Sequence, residues 1–539
     1  MRRFGTVKAL VALVVVALAA AACTGTTATP SGGGGTTSGG TPVDTNFTMS
    51  FTGEIMVGWD PSDSYSNDVT AMQNMYETLT RYNSETQQVE PLLATSWTSN
   101  DAGTEWTFDI RSGVTFHTGR AMTAEDVKAS IERTMDINGG AAYIWSPVKS
   151  IDAPDDTTVV FTLKYSAPLD LIASADYAAY IFDTQAAGGA DLAKWFADGA
   201  EAGTGAYTLD SWDQGAEVEL RLKAFPEYWG GWDATHYQNV IYRVVPEATT
   251  AAQLLRSGQV SWVERLNPQL WGTFQNDPTT TTTSTASWQT LLAMLNTTDG
   301  PLADARVRQA VMAGIDYDGM MQALQGGAQK LSGVIPPGLW GHVDDLYPTY
   351  DPEKAKSLLQ EVGYGPGGQA MDLELTFVQG DSDEQLVATL IKSNLADLNI
   401  NVASRGMQWT AQWSKAKSAN VAERQDIFLF YWWPDYADPY SWFINLFHTE
   451  DPPFFNLSYY SNADVDTRME QAEQMAASDR AQATQMFQDL QQTLYTDAPS
   501  ISVYTQTYQR AMLKSVGGYV DNPAYPNCVF VYDLTPGVA

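Results

Sequence analysis

Histidine and cysteine are scarce in this 539-residue chain, which has four of the first and two of the second. His117, His236, His342 and His448 are widely scattered, and none has a second histidine at metal-site spacing. No C-x-x-C occurs, so no metal or other cofactor is expected. The absence of a Gly-Lys dipeptide excludes a P-loop. Gly203-Thr204-Gly205 lacks the third glycine of a dinucleotide fingerprint, and there is no Gly-x-Ser-x-Gly elbow. Basic residues are also few: 30 against 63 acidic, a formal charge of -33. That balance argues against nucleic acid, which needs clustered Lys and Arg, and against docking on anionic lipid through basic patches. Beyond the N-terminus no hydrophobic run is long enough to span a membrane. A single core is excluded by length, because cores stop growing at roughly 250–300 residues. What the chain does have is 44% hydrophobic and 12% aromatic residues, with 17 Trp, which excludes disorder throughout.

Residues 1–22 read as an export signal. Arg2, Arg3 and Lys8 form a basic start, and Ala9 to Ala22 is wholly apolar but too short to span a bilayer. Cys23 follows Ala20-Ala21-Ala22. This resembles the lipobox of bacterial lipoproteins, with Ala20 where Leu is usual, and implies that Cys23 is lipidated. The other reading is ordinary cleavage after A-x-A. Thr24 to Asp44 is almost entirely Thr, Ser, Gly, Pro and Ala, including Gly32 to Gly35. Such a stretch cannot bury a core and is expected to act as a tether. With Cys23 lipidated, only Cys528 remains, so no internal disulfide is expected.

Phe47 to Val57 has strand character, and Asp68 to Tyr82 shows helical spacing at Val69, Met72, Met75, Tyr76 and Leu79. Trp106 to Ile110 alternates as a strand does. Thr123 and Asp126 form a capping box before a helix whose face carries Val127, Ile131 and Met135. Asp156 to Leu163 and Glu217 to Leu222 read as strands. A threonine run, Thr279 to Thr283, precedes the apolar Leu291 to Leu295. Helices are predicted over 304–324, from Asp351-Pro352 to Gly363, through Leu386 to Leu395, and over 464–495. Leu373, Leu375 and Phe377, then Ile400 and Val402, then Ile427 to Trp433 read as strands, and Ile501 to Tyr504 as a short one before a polar tail. Alternating strands and helices suggest α/β lobes.

Several blocks then form a recognisable order. Pro91-Leu92-Leu93-Ala94-Thr95-Ser96-Trp97 leads to Trp106-Thr107-Phe108, to Arg111 through Gly119, and to Thr123-Ala124-Glu125-Asp126-Val127. Gly203 to Tyr207, Tyr228-Trp229-Gly230-Gly231, Asn296-Thr297-Thr298, Arg306 to Ala310, Ile335 to Gly338 and Trp432 to Pro439 follow. The series resembles the family 5 extracellular solute-binding proteins, the peptide and oligopeptide receptors of ABC importers. The resemblance implies an α/β, two-lobed periplasmic-binding-protein-like fold of type II, cluster C-like. The first lobe is enlarged and hinge strands join it to the second. Expected boundaries are 45–285 for the first lobe with an extra subdomain, 286–502 for the second, and 503–539 for a segment returning to the first. Hinges are expected near 285 and 503.

A receptor of this kind holds a solute without transforming it, in a cleft with apolar walls and a few placed polar groups. Phe428 to Pro439 is the best candidate, an apolar strand ending in Tyr431-Trp432-Trp433 and a Pro-Asp turn. In peptide-binding members of the family the Asp of W-x-x-D-Y grips the ligand's α-ammonium. The matching position is Asp435, followed by Tyr436. A carboxylate in a closing cleft makes a charge-assisted bond to an ammonium, although Asp435 also suits a turn residue bonding its own backbone. Asp438, before Pro439, is expected to cap a helix. Trp432 and Trp433 point opposite ways along a strand, so one is expected in the core and the other at the cleft. Trp59, Tyr65, Tyr143 and Trp145 are candidates for the first-lobe wall, with plain packing as the alternative.

The expected function is capture of di- or oligopeptides and delivery to an ABC permease, by a lipid-anchored monomer on the outer face of the cell membrane. The competing readings are an oligosaccharide receptor of the same family, a secreted hydrolase with a hidden carboxylate pair, and a metallophore receptor.

Overall fold

Leu373, Leu375 and Phe377 lie, as their alternation requires, in the strand Met371–Val378 of the computed structural model, which describes residues 44–537 apart from 54, 57, 66 and 215–217. The expected signal, Cys23 and the tether up to residue 43 lie outside the described residues. Met371–Val378 pairs in parallel with Ile400–Met407 and with Ile427–Trp432. The helix Ser382–Ala396 buries Val387, Ile391 and Leu395 against these strands, while Asp381 caps it by accepting from the Asp383 and Glu384 amides. This strand–helix–strand unit is the α/β part of the second lobe.

Among the described residues eleven strands form one sheet that runs through both lobes. Its centre is a pair of long antiparallel strands, Thr280–Leu295 and Ser500–Leu513. The second half of Thr280–Leu295 pairs with Ile427–Trp432, on the second-lobe side. The far end of Ser500–Leu513 pairs with Trp262–Val263, which leads into Asn46–Phe51 and Asn239–Val244 of the first lobe. The threonine run is thus the first half of a crossing strand, and the short strand expected at Ile501 continues to Leu513. Thr505, Gln506, Thr507, Gln509 and Arg510 looked like a polar tail. They are buried in a strand that Thr280–Leu295 flanks along its length, with Ala328–Lys330 on the other side of Thr505 and Gln506.

Register along the crossing pair breaks twice, between Ala286 and Thr290 and again between Leu291 and Leu292. Ala286 faces Thr507 and Thr290 faces Thr505, so Ser287, Trp288 and Gln289 oppose Gln506 alone. The Ser287 hydroxyl donates to the Gln506 carbonyl at 2.6 Å and accepts from the Gln289 amide at 3.1 Å, which holds the bulge. Extra residues of this kind bend a strand and re-aim its side chains.

The helix expected from Asp68 to Tyr82 stops at Met75, and Tyr76 is extended. Tertiary partners take the backbone groups that helix would use: the Gly205 amide donates to Met75 O at 2.9 Å and the Ile181 amide to Glu77 O at 2.9 Å. The expected helix over 464–495 is two helices, Ala463–Ala476 and Arg480–Asp497, the second capped by Asp479. The predicted capping box is present before Ala124–Ile137, with the Thr123 amide donating to Asp126 at 2.9 Å.

Three apolar clusters position the site. Phe47, Met49, Leu220, Tyr242 and Trp262 centre the first lobe. Leu291, Leu295, Ile391, Leu395 and Leu429 centre the second. A third joins the four-stranded sheet containing Glu105–Ile110 and Thr158–Leu163 to Phe428, Phe430, Trp432 and Trp442 of the second lobe. Each large side chain buried there contributes about 1.5–3 kcal/mol, so the two lobes meet across an apolar seam.

Candidate functional site

The strand Ile427–Trp432 ends at this seam. Phe428, Phe430 and Trp432 face the third cluster, while Tyr431 points the other way and its hydroxyl pairs with that of Tyr504 at 2.7 Å. Trp432 is buried against Phe430 and Phe455, and its indole N–H donates to Ser441 at 3.3 Å. Trp433 is only partly buried, and its indole N–H donates to the Tyr177 hydroxyl. Of the two indoles, Trp432 is therefore the core residue.

Asp435 lies two residues further on and is 9% exposed. Its Oδ2 accepts from the Tyr143 hydroxyl and, at 3.0 Å, from the Ser441 hydroxyl. Both bonds end on one oxygen. Asn445 donates to the Tyr143 oxygen at 2.9 Å and so fixes the phenol. Burial pushes the Asp435 carboxyl up to about 6, against the lowering effect of the Tyr143 and Ser441 bonds, and no cationic side chain contributes. Burial, then the charge of Asp435, pushes the Tyr143 phenol far above its ordinary value, so it remains a donor.

Tyr436 is buried and its hydroxyl reaches Glu473 at 3.4 Å. Asp438 accepts from the Tyr440 amide at 2.9 Å at the start of the helix Tyr440–Leu446, a capping contact. Burial raises the Asp438 carboxyl to about 6.

Among the first-lobe candidates, Tyr143 alone touches Asp435. Trp145, on the same short turn Ala142–Trp145, is 1% exposed; it stacks near Phe161 and donates to the Ala178 carbonyl at 2.8 Å. Its placement is that of a packing residue behind Tyr143. Trp59 packs edge-on to Trp212 at 5.0 Å in the first-lobe core, and Tyr65 is 45% exposed beside Asp63 and Asp68. Neither is brought to Asp435.

Sequence reasoning missed Asp176. Its backbone N–H donates to the Asp435 carbonyl at 3.2 Å, directly across the seam. Tyr177, Tyr180, Tyr525 and Cys528 surround it. The signal was there: an acid inside Leu171 to Ala179, a run otherwise rich in alanine. The C-terminal segment reaches this place because Tyr525 donates to Ser174 O at 2.8 Å and Asn522 to Tyr82 O at 2.8 Å. A buried Arg510–Asp521 pair at 3.4 Å ties the same segment to the crossing strand.

Among the described residues no group of three or more His, Cys, Asp or Glu could hold a metal ion, and no helix is long and apolar enough to cross a membrane. The arrangement is a seam between two lobes with an ionisable acid held by neutral donors, suited to gripping a cationic group.

Comparison with known proteins agrees with this class of protein. The sequence profile of the bacterial extracellular solute-binding proteins, family 5 Middle, matches residues 88–454. The probable D,D-dipeptide-binding periplasmic protein DdpA of Escherichia coli K12 is 30% identical over 475 residues, 85% of this chain and 88% of that protein. Heme-binding protein A of Haemophilus influenzae is 26% identical, over 87% of each chain. Among solved structures, the ABC transporter-associated periplasmic binding protein DppA of Helicobacter pylori, in complex with the peptide STSA, superposes with a TM-score of 0.82. That match is 24% identical in sequence and covers 92% of this chain and 99% of that one. The chain belongs to the family 5 bacterial extracellular solute-binding proteins, with their two-lobed α/β fold. It is a solute-binding component of an ABC importer and not an enzyme.

Proposed function

We propose that this receptor captures short peptides with a free N-terminal ammonium and hands them to its permease. The observation that carries the reading is Asp435: a carboxylate at the seam, bonded by neutral hydroxyls and matched by no cation among the described residues. A ligand ammonium at Oδ1 supplies the missing charge through a charge-assisted bond. Trp433 and Tyr436 flank it, and Tyr143 brings the first lobe to the same carboxylate. The solute thereby favours the closed form, because only there does it contact both lobes. The bulge at Ser287–Gln289 supports a hinge in the crossing strands, between a first lobe of 45–285 and a second of 286–502, with 503–539 returning to the first lobe.

The receptor is a monomer anchored through lipid on Cys23 at the outer face of the membrane, after removal of residues 1–22, with 23–44 as its tether. Replacement of Cys23 by Ser should release it from the membrane fraction.

Calorimetric titration with Ala-Ala and tri-alanine, each beside its N-acetylated form, tests the ligand class. Free peptides should bind, and acetylation should weaken binding by at least about thirtyfold, the lower end of the cost of losing one partner of a buried charge pair. Equal binding of both forms removes the ammonium from the argument.

A further inference from the structure

Asp176 is 0% exposed, and among the described residues no other residue donates a hydrogen bond to either of its carboxylate oxygens. Such a group is rare, because a buried unpaired carboxylate costs several kcal/mol unless a proton or a cation neutralises it. Its backbone is nonetheless held firmly. The amide bonds Asp435 O, and two residues on Ala178 adopts a left-handed φ of 60°, with its carbonyl accepting from Trp145. A non-glycine residue in that region is strained by roughly 1–2 kcal/mol, so the chain is bent here against its own preference.

The groups facing Asp176 are Asp435 from the second lobe, Tyr177 and Tyr180 from its own segment, and Tyr525 and Cys528 from the C-terminal segment. None is cationic, and the Tyr180 hydroxyl is likewise buried without a partner. Asp176 and Asp435 are therefore joined through the backbone at one seam, and the charge of Asp435 acts on the Asp176 carboxyl.

We infer that Asp176 is a second ligand-contacting acid, and that the site selects solutes presenting two positively charged nitrogen groups, one to Asp435 and one to Asp176. This rests on the reading of Asp435 as an ammonium site and narrows the ligand to basic peptides, those with a lysine or arginine side chain beside the N-terminal ammonium. The net charge of -33 favours the approach of such solutes. Burial, then the neighbouring Asp435 charge, holds the Asp176 carboxyl far above its ordinary value.

The test is calorimetry on the full chain with Ala-Ala, Lys-Ala and Ala-Lys, for the wild type and D176N, with unfolding temperatures of both proteins without peptide. At least one lysine peptide should bind the wild type about tenfold more tightly than Ala-Ala, and in D176N that ratio should fall to about one. Unliganded D176N should unfold at the wild-type temperature or above, since it loses an uncompensated acid and no hydrogen bond. A lysine preference that is absent from the wild type, or kept in D176N, overturns the inference, as does marked destabilisation of D176N. Failure of every peptide to bind the wild type removes the peptide reading and this inference with it. Binding of Ala-Ala without a lysine preference removes this inference alone.

Discussion

Tyr143 and Asp435 stand 292 residues apart in sequence and share a hydrogen bond in which the phenol donates to Oδ2. One belongs to a short turn of the first lobe and the other to the end of a second-lobe strand. The bond therefore spans the seam between the two lobes.

Replacement of Asp435 by Asn should weaken peptide binding by about 2–5 kcal/mol, the cost of breaking a buried charge pair. Isothermal titration of the folded variant checks it. Unchanged affinity would place the ammonium elsewhere.

Tyr143→Phe removes the donor but leaves the ring. A hydrogen bond to a charged group is worth about 1.5–3 kcal/mol, so affinity should drop at least about tenfold. Scattering should show a less compact liganded form, while the unfolding temperature without peptide changes little. An unaltered Kd would make the bond incidental to binding.

Stability without ligand should fall as pH rises from about 4.5 to about 7. Burial raises Asp435 and Asp438 to about 6 and Glu77 to about 7. A raised acid contributes stability in full below its unfolded value and loses it as pH passes its folded one. His117, raised mainly by Glu201 against the lowering effect of burial, works in the same direction. Glu201, lowered chiefly by His117 despite its burial, contributes above its ordinary 4.5 and loses that contribution only in more acid solution. Peptide affinity should move the opposite way and strengthen through about pH 6 as Asp435 ionises. The groups facing Asp435 are Tyr143, which stays neutral, and Asp176, whose high value delays its ionisation. Melting curves and titrations at matched pH test both signs; affinity that holds constant down to pH 4 defeats the second.

Trp145→Ala should cost about 3–5 kcal/mol of stability by leaving a cavity in the core. Trp145→Phe should retain most of the packing but lose the N–H to Ala178 O, about 1 kcal/mol. Denaturant unfolding separates the two. Near-equal losses would show that the Ala178 bond, rather than ring volume, is what Trp145 contributes.

Much of the architecture was legible because it is written locally. Alternation at Leu373 to Phe377, the Thr123–Asp126 capping box and the Asp351-Pro352 helix start each depend on neighbours a few residues away, and each appears in the structure. The helix drawn through Tyr82 and the tail drawn after Tyr504 failed for one reason. In both, the backbone is paired by strands and loops remote in sequence, and local patterning carries no record of those partners.

The site divides in the same way. From sequence alone came an acidic chain whose motifs resemble those of two-lobed solute receptors, and the W-x-x-D-Y block pointed to Asp435. Only tertiary structure decided that Tyr143 completes that acid, that Trp432 is core while Trp433 is more open, and that Asp176 lies against Asp435. Closing two lobes is what sets these groups side by side. Burial and charge at such a contact depend on distance in space, which no spacing along the chain encodes.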